Sequence, residues 1–182
     1  MCQHGHMVDD ILSLTQRPAV MSDAQPITVF HTQCWLDSYS GIVPQDYLEG
    51  IDLRDREVSW RDRLSFDLRH TALALRGDVI VGLVSWARTD QGDLPRLELM
   101  SLYVSASYRG SGVAHALLER ALGGAPAHLL VFEENPRARA FYAKHGFSAD
   151  GYREMESRTG VWELRMVRSQ ARSGSAQFAD LI

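Results

Sequence analysis

The chain has 182 residues, of which 45% are hydrophobic and 23% are charged. This length fits one domain with a substantial core, and the composition excludes a disordered, collagen-like or low-complexity protein. Lys and Arg number 19 against 23 for Asp and Glu, so the net charge of −4 lacks the basic excess that is typical of nucleic-acid binding.

The two cysteines, Cys2 and Cys34, are too few for a disulfide framework and fit a reducing compartment. Cys2 stands close to His4 and His6, which raises the question of a metal site. A chain end without a scaffold seldom positions ligands, so a frayed terminus is the preferred interpretation and no metal is expected.

A membrane-bound or secreted protein is not expected. The longest uncharged apolar stretch covers residues 79–87, and a spanning helix needs about 20 residues. Asp9 and Asp10 interrupt the N-terminus and no apolar run follows them, unlike in a secretory signal. We therefore predict a cytoplasmic protein with no membrane or nucleic-acid partner.

Hydrophobic periodicity and turn residues predict the elements in chain order. The predicted strands are 12–19, 70–76, 79–88, 97–104, 128–132, 147–157 and 161–167. The predicted helices are one from the Ser22-Asp23 cap pair to about residue 38, a short one from Pro44, and 54–64, 113–122 and 135–145.

This order predicts a mixed α/β fold whose sheet is antiparallel in its first half. The strand–helix–strand unit over 97–132 should form a right-handed parallel crossover. We divide the chain into an irregular lead over 1–10, one domain over 11–168 and a tail over 169–182.

The most informative segment joins a predicted strand to a helix through a loop that contains Arg109, Gly110 and Gly112. Helix N-termini bind phosphate through unpaired N–H groups, and glycines let the backbone approach the ligand. His115 replaces the third glycine of a dinucleotide fingerprint, and the Lys-Ser/Thr pair of a P-loop is absent. A glycine turn that merely caps a helix remains the alternative.

Two motifs together resemble the GNAT superfamily of acetyl-coenzyme A-dependent N-acetyltransferases. Residues 109–114 (RGSGVA) fit the pattern [QR]-x-x-G-x-[GA], and residues 135–147 (NPRARAFYAKHGF) fit N-x-x-A-x-x-F-Y-x-x-x-G-F one strand later. The resemblance extends over about 12–167. It implies a mostly antiparallel sheet flanked by helices, with a central parallel strand pair that splays at the acetyl-coenzyme A site.

The resemblance also implies transfer of an acetyl group from acetyl-coenzyme A to a primary amine, by direct attack in a ternary complex and without a metal. The amine would belong to a small metabolite, an antibiotic or a peptide. Two alternatives stay open: a coenzyme A-binding regulatory or degenerate module without turnover, and an unrelated nucleotide-binding domain.

Coenzyme-binding residues follow from the matched motifs. The strand backbone before the loop should bind the pantetheine arm and the thioester oxygen, and the loop should bind the pyrophosphate. Asn135 is both a helix cap and a coenzyme contact in this interpretation. The implied residues are Leu102, Tyr103, Val104, Arg109, Gly110, Ser111, Gly112, Val113, Ala114, Asn135 and Tyr142.

Tyr142 is the implied general acid, because the tyrosine of this motif lies near the coenzyme sulfur in the family. A phenol can protonate a departing thiolate. The alternative is an ordinary core aromatic whose hydroxyl finds a partner.

Glu98 is the first candidate for the general base, since it interrupts an apolar strand and some family members use a glutamate there. Strand alternation places it on the face of Met100, Leu102 and Val104. A carboxylate on the rim paired with an arginine is the alternative role, and Glu133 is the second candidate base.

The acceptor pocket is expected along the first helix and the loop after it. Its candidate residues are Trp35, Asp37 and Tyr39, with Tyr47 nearby. The tail ends in the apolar segment 178–182, for which a disordered end is the default. The alternative is docking on a second copy, since GNAT proteins often form homodimers.

Overall fold

The computed structural model describes residues 14–66 and 69–169. The predicted lead, with Cys2, His4 and His6, lies outside these ranges, as does all but the first residue of the predicted tail. Within the described ranges, no helix is long and apolar enough to cross a bilayer.

Within the described residues there are seven strands and five α-helices, and most of their limits agree with the prediction to within two residues. The strands are β1 Leu14–Pro18, β2 Arg69–Arg76, β3 Val79–Arg88, β4 Leu97–Val104, β5 Ala127–Phe132, β6 Ser148–Met155 and β7 Trp162–Arg168. The helices are α1 Ala24–Tyr39, α2 Gln45–Glu49, α3 Leu53–Ser65, α4 Val113–Leu122 and α5 Pro136–Lys144.

The strands form one mixed sheet in the order β1-β2-β3-β4-β5-β7-β6. All neighbours are antiparallel except β4 and β5, which are parallel. The predicted fold class and the predicted parallel pair are therefore confirmed.

Helices cover both faces of the sheet, so its central strands are buried on both sides. In β2, Leu73 and Leu75 pack in a cluster with α1 and α3, while Ala72 and Ala74 pack in a second cluster with α4. Gly82 of β3 lies under α4, and a Cβ there would come within 2.8 Å of a Leu117 methyl. This close approach seats α4, and the loop before it, firmly on the sheet.

One detail at the start of α1 differs from the prediction. Asp23 precedes the helix, but its side chain does not cap it. The carboxylate instead accepts the Val20 N–H at 2.8 Å and pairs with Arg17 at 2.6 Å. Asp23 therefore closes the short turn over Met21–Asp23 that precedes α1 and does not cap the helix itself.

Candidate active site

The two parallel strands separate in the middle of the sheet. Their pairing covers only Leu97–Leu99 with Ala127–Leu129. Beyond this point β4 pairs with β3 alone, and β5 pairs with β7. A wedge therefore opens between the second halves of β4 and β5, which we call the split.

Backbone hydrogen-bond donors face the split. The Ser105 N–H donates to the Val81 carbonyl of β3 at 3.0 Å. Because backbone groups alternate in direction along an antiparallel strand, the N–H groups of Leu102 and Val104 point away from β3 and towards the split. The Tyr103 N–H points towards β3, so of the three predicted residues this one offers no backbone donor to the split.

The loop over residues 105–112, here called the glycine loop, leads from the split to the N-terminus of α4. Gly110 and Gly112 have φ angles of +79° and +91°, a region that side-chain-bearing residues rarely adopt. The Ser111 hydroxyl donates to the Tyr108 carbonyl at 2.6 Å. The turn leaves the first N–H groups of α4, at Val113 and Ala114, without acceptors inside the helix.

Arg109 is exposed beside these N–H groups, and its guanidinium lies 3.4 Å from the Ser38 hydroxyl at the end of α1. It forms no ion pair with the described carboxylates. A cation and a helix N-terminus side by side suit an anion such as a pyrophosphate.

Asn135 caps α5 as predicted. Its Oδ1 accepts the Ala138 N–H at 3.1 Å, and Pro136 holds the first helical position. The side chain is buried. The capping role is therefore present, and a contact with coenzyme stays a prediction.

Tyr142 points from α5 into the core between helix and sheet. Its ring packs at 5.9 Å from Phe147 and at 5.4 Å from Phe141. Burial raises the pKa of its phenol, and the neighbouring Tyr39 raises it further. Within the described residues no side chain hydrogen-bonds this hydroxyl, so a neutral phenol is held with its proton available.

A cavity of about 690 Å³ lies on the face of the sheet covered by α1 and α3. We call it the central cavity. Aromatic, cationic and acidic side chains line it together, in particular His31, Trp35, Tyr39, Tyr47, Arg56, Trp60, Arg63, Arg69, Glu98, Ser101, Tyr103, Phe132, Glu156, Arg158 and Glu163.

Two of the three residues predicted to form the pocket for the amine substrate lie in this cavity. Trp35 and Tyr39 line it, with Tyr47 beside them. Asp37 is not among its lining residues; it is exposed and accepts a hydrogen bond from Gln33 at 2.8 Å. The Tyr39 and Tyr103 hydroxyls lie 3.1 Å apart and connect the α1 side of the cavity to β4.

Glu98 also lines the central cavity, but not on the strand face predicted for it. The pairing of β3 with β4 shifts between Ser85 and Trp86, so that Met100 is bulged out. The bulge reverses the alternation beyond it. Leu102 and Val104 consequently pack on the α4 face, opposite Glu98 and Tyr103, and the prediction that Glu98 shares their face is wrong.

His128 supports Glu98 from β5 at the base of the split. Its Nδ1 lies 2.8 Å from the Pro95 carbonyl, which only accepts, so Nδ1 donates a hydrogen bond to it. Its buried Nε2 then faces the Glu98 carboxylate at 3.8 Å without another partner.

Glu133, the second candidate base, lies elsewhere. Its carboxylate pairs with Arg153 at 3.3 Å, and its side chain is 38% exposed. It lines a separate cavity with Gly41–Gln45 of the loop after α1. The structure does not bring Glu133 together with Glu98.

Glu163 of β7 is a cavity residue that the sequence interpretation missed. Burial raises its pKa to about 7, and the nearby Glu156 and Glu154 add to the shift. Its neighbour Leu164 packs in the α4-side core, so alternation along β7 turns Glu163 to the cavity. That alternation was visible in the sequence, but the cavity it faces was not.

Cys34 is buried on α1, and burial raises the pKa of its thiol to about 12. A thiol with this pKa is a poor nucleophile at neutral pH. No group of His, Cys, Asp and Glu side chains in the described ranges has the arrangement of a metal site.

The parallel strands that separate, the helix N-terminus after the glycine loop and the polar cavity behind them together suit an extended ligand that carries a phosphate group. The sequence pattern of the acetyltransferase (GNAT) family matches residues 34–147. The chain therefore belongs to this family and is a GNAT-type transferase.

Relatives and solved structures agree with this assignment. An uncharacterized N-acetyltransferase of Mycobacterium bovis is 31% identical over 118 residues, which are 62% of this chain and 74% of the relative. A probable N-acetyltransferase of Mycobacterium tuberculosis is 27% identical over 152 residues, or 81% of this chain and 83% of the relative.

Among solved structures, the PaiA N-acetyltransferase of Thermoplasma acidophilum in complex with coenzyme A is similar, with a TM-score of 0.67 and 17% identity over 87% of this chain and 99% of that one. An acetyltransferase of Thermus thermophilus has a TM-score of 0.65 and 23% identity over 88% and 99%. These structures share the fold.

Proposed function

We propose that the protein transfers an acetyl group from acetyl-coenzyme A to a primary amine within a ternary complex. The observation that carries this proposal is the split, with the Leu102 and Val104 N–H groups facing it and the glycine loop at its end. The central cavity reaches β4 from the α1 and α3 face. The coenzyme can thus enter through the split and the amine through the central cavity, and the two meet at β4.

The coenzyme-binding surface follows from the unpaired donors. The β4 edge binds an extended pantetheine arm as a further strand would, through the N–H groups of Leu102 and Val104. Arg109, with the amides of residues 110–114, binds the pyrophosphate. Asn135 lies at the open end of β5, where its amide group can contact the same arm.

Acetyl-coenzyme A supplies a thioester, and two residues of this chain move the protons. Glu98, which lines the central cavity, accepts the proton that the ammonium group must lose. The amine nitrogen then bonds to the acetyl carbon as the carbon–sulfur bond breaks. Tyr142 gives its proton to the departing thiolate and is reprotonated with the second proton, which the new amide nitrogen must lose. A strand N–H at the split stabilises the thioester oxygen.

Direct attack is favoured over a covalent enzyme intermediate. Such an intermediate needs an activated nucleophile beside the thioester. Cys34 is buried on α1 with a raised pKa. In the described part of the chain no other cysteine is present, which supports attack with both substrates bound together.

A coenzyme A-binding module without turnover is the alternative, and a release assay separates the two. Incubation with acetyl-coenzyme A and a panel of primary amines should release free coenzyme A thiol, measured by a thiol reagent, only when an accepted amine is present. Mass spectrometry should find one acetyl group added to that amine. Saturable coenzyme binding with no acetylated amine across the panel would support the module.

Arg109→Ala should weaken acetyl-coenzyme A binding about 10- to 100-fold in isothermal titration, because a charge-assisted hydrogen bond to phosphate is lost. The matched control is Arg120→Ala, which removes an exposed arginine from the other end of the same helix. Unchanged affinity in the Arg109 variant would remove the pyrophosphate assignment.

A further inference from the structure

Three arginines line one side of the central cavity: Arg56 and Arg63 of α3, and Arg69 at the start of β2. We call them the arginine cluster. All three side chains are half-buried. The proton-transfer roles described above make no use of them.

Rings, and not carboxylates, are the close contacts of the cluster. Arg56 stacks over Trp35 at 4.9 Å and lies 3.5 Å from His31 Nδ1. Arg63 stacks over Trp60 at 4.9 Å. No member forms an ion pair with a carboxylate in the ranges that the structure covers.

Arg69 has a donor without an acceptor. Its Nε is buried and has no hydrogen-bond partner among the described atoms. A buried guanidinium N–H that lacks an acceptor is costly, and such a donor commonly marks a ligand position. The cavity beside it has room for the missing acceptor.

The cluster creates an uncompensated positive region. Burial lowers the pKa of Arg69 to about 10, and Arg63 lowers it further, against a weaker opposing effect of Glu98. Burial lowers the pKa of His31 to about 3, with further contributions from all three arginines, so that His31 stays neutral. Adding one anion between these groups would relieve the repulsion.

Two carboxyl groups of the sheet line the side of the cavity opposite the arginine cluster. Glu98 of β4 and Glu163 of β7 face the cavity there. Arg158 is the remaining cavity arginine and already pairs with Glu156 at 2.9 Å. Asp52 and Asp55 also line the cavity, at the start of α3, but none of the described carboxylates forms an ion pair with the arginine cluster.

We propose that the acceptor is a small primary amine that carries a carboxylate, and that the arginine cluster binds this carboxylate while the amine faces Glu98. This inference rests on the proposed acetyl transfer. Planar guanidinium groups match a carboxylate through paired N–H donors. A volume of about 690 Å³ suits a molecule of amino-acid or dipeptide size, and the ring-lined walls suit an apolar side chain.

Pairs of acceptors that differ only by the carboxylate test the proposal. Phenylalanine is compared with phenethylamine, leucine with isopentylamine, and a Phe-Leu dipeptide with its C-terminal amide, which separates a free amino acid from a peptide as the source. The acid should have a kcat/KM about 10- to 100-fold above that of its partner, mainly through KM. Equal or reversed preference in every pair would overturn the proposal, as would a preference for phosphoethanolamine over all acids.

Two variants locate the preference. Arg69→Met and Arg56→Met should each reduce the advantage of the acid about 10-fold or more and change kcat/KM for the carboxylate-free amine little. Arg61→Met is the matched control, because Arg61 is an exposed arginine of the same helix that pairs with Glu57. Equal losses for acid and amine in the cluster variants would contradict carboxylate binding.

A binding measurement keeps this inference separate from the proposed reaction. Trp35 and Trp60 line the cavity, so their fluorescence reports occupancy without acetyl-coenzyme A. The acids should quench it in the wild type at concentrations about 10-fold lower than in Arg69→Met. Quenching that depends on the carboxylate, without turnover, would contradict only the proposed acetyl transfer. Equal quenching by the acids and by their carboxylate-free partners would contradict this inference.

Discussion

Tyr142→Phe should lower kcat about 100-fold, at the lower end of the range for general acid catalysis, while the affinity for acetyl-coenzyme A stays unchanged. The substitution removes only the hydroxyl that would protonate the thiolate. The ring keeps its contacts with Phe141 and Phe147, so the core stays packed. Steady-state kinetics give kcat, and calorimetry gives the coenzyme affinity.

The raised pKa of Tyr142 sharpens this expectation. A phenol whose pKa is raised by burial remains protonated throughout the neutral range, so the acid form is always present. Activity should therefore show no loss from Tyr142 ionisation between pH 6 and 9. Tyr152→Phe is the control, since Tyr152 is an exposed tyrosine that bonds Glu154 on β6. Undiminished turnover in Tyr142→Phe would assign the proton to another residue or to water.

The regular elements and the glycine loop could be predicted because their determinants are local. Gly112 needs a positive φ to start α4, and Asn135 before a proline caps α5, so each pattern encodes its own geometry. The same local logic predicted β2 and β3 as neighbouring strands, 70–76 and 79–88. Short-range rules suffice where the partner is a near neighbour in sequence.

Long-range features were not predictable in the same way. The bulge at Met100 depends on how β3 meets β4, and it moves Leu102 and Val104 to the other face from Glu98. The cavity position of Glu163 depends on the place of β7 in the sheet, between β5 and β6. The sequence of β7 does not indicate this place.

The burial of the arginine cluster could not be predicted from the sequence either. Arg56 and Arg63 belong to a heavily charged helix that resembles an ordinary solvated one in sequence. Packing of α3 against α1 turns these two side chains inward while Arg61 stays exposed. Tertiary contacts determine which charged side chains of an amphipathic helix are buried, and therefore which of them can form a binding site.

Glu98→Gln should lower kcat about 100-fold across the pH range, because an amide cannot accept the proton of the ammonium group. Glu133→Gln is the matched control, since this carboxylate is exposed, pairs with Arg153 and lies outside the central cavity. Full activity in Glu98→Gln would give Glu98 only the role of a rim carboxylate.

Glu163 should contribute a different signature, in the pH dependence. With its pKa raised to about 7, Glu163 is neutral below that pH and negative above it. Its ionisation adds an attraction for the ammonium group, so kcat/KM of the wild type should rise through about pH 7. Glu163→Gln should flatten this rise, whereas Glu98→Gln should keep it at a lower rate. The reverse pattern, with the 100-fold loss in Glu163→Gln, would make Glu163 the base and place Glu98 among the groups that hold the amine.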